Sequence, residues 1–225
     1  MIPRELLATA SVPDGEELRL YKRGGDFMIM LGANELMSSR ISGSEEALAT
    51  MTCDRLATDA PHMLLGGYGM GFTLRAALGR LGPKARFTVA ELVPAIIDWA
   101  RGPMAALTAG CLDDPRVQLV PGDVSAAIAA GRGRYDAILL DVDNGPEGLT
   151  REENDQLYSG SGLQSAKAAL RLGGVLAVWS AGPDARFTRG LKQAGFAVEE
   201  VMVRAARGGK GARHVIWFAR KGAGG

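Results

Sequence analysis

The sequence predicts an α/β protein built on a doubly wound, mostly parallel sheet of seven strands. Three observations carry that expectation. From Pro61 onward, apolar runs of strand length alternate with amphipathic runs of helix length, the order that yields parallel strands joined by crossover helices. Several of the runs, among them "HMLLGG", "YDAILLD" and "GVLAVWS", are almost continuously apolar, as strands covered on both faces are. The last two runs, "FAVEEVMVRA" and "RHVIWFAR", are joined by "ARGGKGAR", too short to hold a helix, so they form an antiparallel closing pair.

Residues 1–58 read as a small N-terminal β-hairpin region plus a linking helix. Its strands are "ELRLYK", "DFMIML" and "ELMS", and Arg23-Gly24-Gly25-Asp26 makes the first turn. The stretch from Ser44 to Thr58 reads as a helix with Ser44 as its N-cap and Glu45 and Glu46 in its first turn. Residues 59–221 carry the main sheet. Its strands are the three apolar runs and closing pair above, together with "RFTVAE" and "RVQLV". Its helices are "GFTLRAALGRL", "VPAIIDWARG", "DVSAAIAAG", one within Asp155–Leu172, and "PDARFTRGLKQAG".

Bulk properties exclude more than they assign. A chain of 225 residues suffices for one α/β domain with a small appendage. A net charge of +1 argues for neither nucleic acid nor membrane as partner. There is no run of 18 apolar residues and no signal-peptide pattern at the N-terminus, so a cytoplasmic protein is expected. Cys53 and Cys111 read as reduced, partly buried thiols. His62 and His214 are too far apart in sequence for an obvious metal site, and both read as structural; no metal is expected.

In a doubly wound sheet the ligand lies beyond the C-terminal ends of the strands, at the switch point. The residues there are Gly66, Gly67, Gly69 and Gly71 in "GGYGMG", then Glu91, Asp123 and Asp141. A dinucleotide fingerprint requires G-x-G-x-x-G, but here Phe72 stands at its last position and the pattern is G-x-G-x-G. Such a loop can cradle a phosphate, grip a nucleoside sulfonium or simply turn the chain. Glu91, followed by Leu92, ends the second strand and can accept hydrogen bonds from both hydroxyls of a ribose. Asp123 can accept from an adenine amino group while the Val124 amide donates to a ring nitrogen, and Asp123 can also cap its helix. Asp141 follows "AILL", and a poorly hydrated carboxylate at a strand end can hold a cationic amine.

The loop after Asp141 carries Asp143, Glu147, Glu152, Glu153 and Asp155 against a single basic residue, Arg151. That balance fits a cationic acceptor or a solvated lid. Tyr68 can cover the ligand or pack over the turn. The closing hairpin holds Arg204, Arg207, Lys210 and Arg213, but a net charge near zero and few aromatics weigh against nucleic acid.

The strand and helix order is the layout of the class I methyltransferase-like, Rossmann-type fold. Residues from about 60 to about 180 also resemble the spermidine synthase (aminopropyltransferase) family. The stretches that carry the resemblance are "LLGGYGMGFTLRAAL", "VAELVPAIIDWAR", "LDDPRVQLVPGDV", "YDAILLDVDNGPEGL" and "LQSAKAALRLGGVLAVWSAG". The resemblance implies S-adenosylmethionine or its decarboxylated form as cofactor, an amine-type small-molecule acceptor and a homodimer. It places the glycine loop and Glu91 with Leu92 on the nucleoside, Asp123 and Val124 at the adenine, and Asp141 as the catalytic carboxylate. Glu46, Tyr68, Asp143 and Asn144 become substrate contacts.

Three departures stand out. The family's glycine loop is typically G-G-G-D-G-G, and its aspartate position is Gly69 here. The family's Tyr-His-Glu appears as Ser44-Glu45-Glu46. The family's D-P-x-G-P is only approximated by Asp143-Asn144-Gly145-Pro146. The expected reaction is therefore transfer of an aminopropyl or a methyl group to an amine. A plain S-adenosylmethionine-dependent methyltransferase, acting on a small molecule or RNA, and a catalytically lapsed nucleoside-binding relative are the alternatives.

Overall fold

The computed structural model describes residues 2–12, 17–142, 156–206, 208 and 210–222. Its first four strands, β1 (Glu5–Ser11), β2 (Glu17–Arg23), β3 (Asp26–Leu31) and β4 (Asn34–Ser38), form an antiparallel sheet in chain order. Helix α1 (Gly43–Cys53) follows. Strands β5 (His62–Gly66), β6 (Arg86–Glu91), β7 (Val117–Pro121), β8 (Tyr135–Leu140), β9 (Leu170–Ser180), β10 (Phe196–Ala206) and β11 (Lys210–Lys221) build the second sheet. Between them run α2 (Phe72–Arg80), α3 (Pro94–Arg101), the single turn α4 (Ala105–Thr108), α5 (Val124–Ala129), α6 (Gly160–Ala169) and α7 (Ala185–Gln193).

The large sheet has the order β10-β11-β9-β8-β5-β6-β7. Strands β5 to β9 pair in parallel, and β11 enters antiparallel between β9 and β10. This is the expected seven-stranded, mostly parallel arrangement with an antiparallel closing pair. Strand order reverses between β5 and β8, so the switch point opens beside the glycine loop that follows β5.

The apolar strands divide their side chains between two cores because successive residues point to opposite faces. In β5, Met63 and Leu65 enter one core and Leu64 the other; in β8, Ala137 and Leu139 oppose Ile138 and Leu140. In β9, Val175, Ala177 and Trp179 oppose Leu176 and Val178. The first core also takes Leu18, Leu20, Phe27, Ile29 and Leu31 from the small sheet. The N-terminal strands thus pack onto the same core as α1, α2 and α3, on the face where the site opens. Asp136 is structural: its Oδ2 accepts from the His62 backbone N–H at 2.8 Å and from Arg171 Nη1 at 2.6 Å. His62 is structural as well, with Nε2 2.9 Å from Thr88 Oγ1.

Two local expectations change. The small sheet gains β1, whose "ELLATAS" lacks a clean two-residue alternation and pairs with β2 through an irregularity between Leu6 and Ala8. Helix α1 begins one residue earlier than expected and Ser44 does not cap it. Ser42 stands at the N-cap with no side-chain bond to the backbone, and Ser44 is buried within the first turn. The helix ends at Cys53 instead of Thr58. Among the described residues no helix is long and apolar enough to cross a membrane.

Leu139 sits at the centre of the sheet with 1% of its surface exposed. Leu139→Ala should lower stability by about 2–5 kcal/mol, because neighbouring strands leave little room for the cavity to collapse. Urea denaturation, read as a shifted midpoint with an unchanged slope, checks this.

Candidate active site

The glycine loop joins β5 to α2 through three left-handed turns, at Gly67 (φ 80°), Gly69 (φ 55°) and Gly71 (φ 77°). Residues other than glycine adopt such backbone angles only at a cost. Gly67 also lies where a Cβ would stand 3.1 Å from the Asp141 carbonyl oxygen. The loop and the end of β8 therefore meet backbone to backbone.

Glu91 anchors this loop from behind. One of its carboxylate oxygens accepts from the Tyr68 backbone N–H and the other from the Val93 backbone N–H, each at 2.8 Å. The side chain is buried. Burial pushes its pKa up, while hydrogen bonds from the Val93, Tyr68, Gly69 and Leu92 backbone N–H groups oppose that rise. Four N–H groups thus crowd the two carboxylate oxygens, so a ligand hydroxyl would have to share an acceptor with, or displace, one of the longer contacts. Asp123 caps α5, with Oδ1 accepting from the Ser125 N–H at 2.6 Å. Val124, the first residue of α5, packs its methyl groups against Gly66.

In front of the loop is a cavity whose walls include Met37, Glu45, Tyr68, Thr73, Asp141 and Trp179. Glu91, Leu92, Asp123 and Val124 lie outside its lining. The candidate residues thus fall into two groups, on either side of the loop. Asp141 Oδ2 accepts from Thr73 Oγ1 at 3.3 Å. The same hydroxyl lies 3.4 Å from the Glu45 carbonyl oxygen, tying α1, α2 and the end of β8 together.

Glu45 and Asp141 are the acids of this cavity. Burial, reinforced by the Asp141 charge, pushes the Glu45 carboxyl up to about 7. Burial pushes Asp141 up to about 6, against the Thr73 hydrogen bond. Two carboxylates in one partly dry cavity resist being charged together, and a cation entering it relieves that repulsion.

Several candidates take other places. Glu46 turns to Ser42, whose hydroxyl donates to Oε1 at 3.0 Å, and it is Glu45 that reaches the cavity. Tyr68 packs over the turn: it is among the residues lining the cavity, and its buried hydroxyl lies 3.3 Å from Cys111 Sγ beneath the loop. Burial pushes the Tyr68 phenol above its ordinary pKa. Asp143 and Asn144, with the acidic loop to Asp155, lie outside the described residues, as does Arg207 of the hairpin. Thr73, Met37 and Trp179 were not singled out in the sequence, since nothing in their residue types marks a site.

No family model matches the chain. Curated proteins do. A polyamine aminopropyltransferase of Streptomyces coelicolor is 37% identical over 89 residues, which is 38% of this chain and 17% of that protein. A putrescine N-methyltransferase of Nicotiana tabacum is 35% identical over 115 residues, 51% of this chain and 28% of that one. A polyamine aminopropyltransferase of Corynebacterium efficiens is 28% identical over 180 residues, 79% of this chain and 33% of the other. The chain spans a third or less of the length of these three curated relatives. Among solved structures, spermidine synthase from Thermotoga maritima superposes with a TM-score of 0.77 over 97% of this chain and 73% of that one, at 17% identity. A spermidine synthase complexed with the transition-state analogue AdoDATO gives a TM-score of 0.76 over the same shares, also at 17% identity. The chain is thus similar in fold to these spermidine synthases, and in sequence, over the stretches given, to polyamine aminopropyltransferases and a putrescine N-methyltransferase.

Glu91→Ala should cost about 2–4 kcal/mol, because two buried backbone donors lose their acceptor, and should abolish nucleoside binding. Thermal melting and calorimetry read the two losses separately. The acid pair generates a second expectation. Both carboxyls keep their protons to higher pH in the folded chain than in the unfolded one. The folded chain therefore binds more protons between about pH 4 and about pH 7, and stability falls as pH rises through that window. Glu45→Gln should flatten the fall, so that the variant gains on the parent at about pH 8 and not at about pH 4, as urea denaturation at both pH values would show.

Proposed function

We propose that the chain is a transferase that moves an alkyl group from a sulfonium nucleoside, S-adenosylmethionine or its decarboxylated form, to a small-molecule amine. The observation that carries this reading is the loop with Glu91 on one side and the Glu45–Asp141 cavity on the other. Glu91 has the character of a ribose acceptor, and Asp123 with the Val124 amide suits an adenine edge. The sulfonium carbon then lies near Gly67–Gly69, at the mouth of the cavity. An amine enters as an ammonium ion drawn by the two carboxyls, and it must lose a proton before its lone pair can attack. Asp141 holds the nitrogen in line with the carbon–sulfur bond. The attack forms a carbon–nitrogen bond, and the electrons of the broken bond stay on sulfur as a neutral thioether. Most of the acceleration comes from positioning, with proton removal adding its share. The finer expectations of a cytoplasmic homodimer belong to the same proposal.

Methyl transfer is the second reading, and Met37 favours it. A Cβ on Gly69 would stand 2.7 Å from both Met37 Sδ and Met37 Cε. The thioether thus fills space in front of the loop that a longer transferred group would share. The relatives carry both kinds of name, aminopropyltransferase and N-methyltransferase.

Calorimetry with each nucleoside, followed by mass spectrometry of products from a panel of primary amines, tests the proposal. One nucleoside should bind, and one amine should gain either a methyl or an aminopropyl mass. Asp141→Asn should lower turnover by about 10²–10⁴-fold with nucleoside affinity kept. Binding of neither nucleoside would overturn the proposal.

A further inference from the structure

The cavity has a hydrogen-bonded way out that the transfer chemistry above does not use. Glu45 Oε2 accepts from Ser44 Oγ at 2.8 Å, and Ser44 Oγ lies 2.9 Å from His214 Nδ1. Ser44 is fully buried, while His214 in β11 is half-buried. The His214 ring meets Trp179, another wall of the cavity, edge to face at 4.7 Å. Three groups able to exchange protons therefore run in a line from the cavity wall to an imidazole that reaches the surface.

We propose that Glu45, Ser44 and His214 form the proton outlet of the acceptor cavity. The inference rests on the amine reading above. A bound ammonium gives one proton to the Glu45 carboxylate, and the neutral amine then attacks the sulfonium carbon. The Glu45 proton moves to Ser44 Oγ as the Ser44 hydroxyl proton moves to His214 Nδ1, and His214 releases a proton to solvent from its outer nitrogen. Each transfer thus liberates one proton, and the chain returns to its starting arrangement after the imidazole turns over its tautomer. Ser44 has one hydroxyl hydrogen: it goes to Oε2 while Glu45 is charged, and once Glu45 is protonated Glu45 donates to Ser44 Oγ and Ser44 turns its hydrogen to Nδ1, so the relay works only if Nδ1 is bare and Nε2 carries the hydrogen in the Glu45-protonated chain.

The surroundings suit this use. Among the described residues, the titratable groups facing Glu45 are Asp141 from the end of β8 and Glu46 on its own helix, with His214 reached through Ser44. Tyr68, from the glycine loop, closes the same cavity. A Glu45 carboxyl raised towards neutral pH can both take and give up a proton. Burial lowers the His214 pKa, so the resting imidazole is neutral and passes a proton on readily. Asp141, held by Thr73, keeps the amine in place; Glu45 is the acid with a bonded path outward. Glu45 would touch the substrate, whereas Ser44 and His214 act through it.

The test compares the parent with Glu45→Gln, Ser44→Ala and His214→Asn. Asparagine keeps a hydrogen-bonding atom near the Nδ1 position but cannot carry a proton through, so a merely structural strut survives His214→Asn and an outlet does not. The outlet predicts that His214→Asn lowers kcat about tenfold with the amine KM unchanged, and that added imidazole restores His214→Ala. It also predicts that Glu45→Gln removes the step in the pH dependence of kcat near pH 7 and leaves the one Asp141 produces near pH 6. Nitrogen NMR of the resting protein gives a readout that needs no turnover. With only His62 and His214 in the chain, the His214→Asn spectrum assigns both, and below about pH 7, where Glu45 is protonated, His214 should show a bare Nδ1. A protonated Nδ1, or a His214→Asn enzyme with parental kcat, overturns the outlet and leaves the amine reading standing. Absence of transfer to any amine overturns both.

Discussion

The site depends on one buried carboxylate. Glu91 ends β6, and its two oxygens hold the backbone of the glycine loop on one side and the start of α3 on the other. Burying that acid costs free energy, which the surrounding N–H groups offset by solvating it with fixed dipoles. Because those donors belong to the loop, the loop cannot take another path without leaving the acid unpaired. The three left-handed glycines follow from this constraint: the chain must bring several N–H groups to one carboxylate and then turn into α2. Glu91 therefore acts first as the anchor of the loop, and on the proposed reading a ribose would compete with the loop's own N–H groups for it.

The cavity side is built on the opposite principle. Glu91 is pacified by donors, whereas Glu45 and Asp141 are left short of them. Thr73 supplies one hydroxyl hydrogen between two acceptors, and the pair carries its repulsion as instability near neutral pH. A binding cation gains what the empty site lacks. The fold offsets this locally through the core beneath: Leu48, Ala49 and Thr52 pin α1, while Leu139 and Trp179 hold the strands it packs against. This is the usual arrangement of a functional site, with strained electrostatics set on a rigid apolar base.

The fold was largely legible in the sequence because its signals are strong and local. Continuous apolar strands mark a sheet covered on both faces, and the short "ARGGKGAR" linker forces the antiparallel pair. β1 was missed because "ELLATAS" has no alternation to read; its strand character comes from pairing with β2. The candidates on the Glu91 side could be picked out because strand ends are predictable: Gly66 and Glu91 end their strands, and the other candidates follow within five residues of a strand terminus. The cavity side was harder, since its walls come from β4, α1, α2 and β9 and meet only in three dimensions. Glu45 is the instructive case. Leu48, Ala49 and Thr52 follow it at three, four and seven residues, which puts Glu45 on the buried stripe of α1, and Glu46 lies about 100° further round the helix. Periodicity therefore favoured Glu45, while matching the family's Tyr-His-Glu pattern selected Glu46.

The N-terminal sheet also shapes the cavity. Met37 belongs to β4 and reaches over Gly69, a position whose backbone angle and crowded Cβ direction both favour glycine. If a side chain stood at residue 69, the thioether would have to move, and the cavity would lose its present shape. Gly69 and Met37 therefore act as one unit: the loop leaves out a side chain and the small sheet supplies one. Methionine is flexible and apolar, so the mouth it forms adapts to shape but offers no charge to bind a transferred group. The charged contacts are left to Glu45 and Asp141, deeper in the same cavity. On the proposed amine reading, what distinguishes one acceptor from another is how far a cation must reach past Met37 to meet that pair.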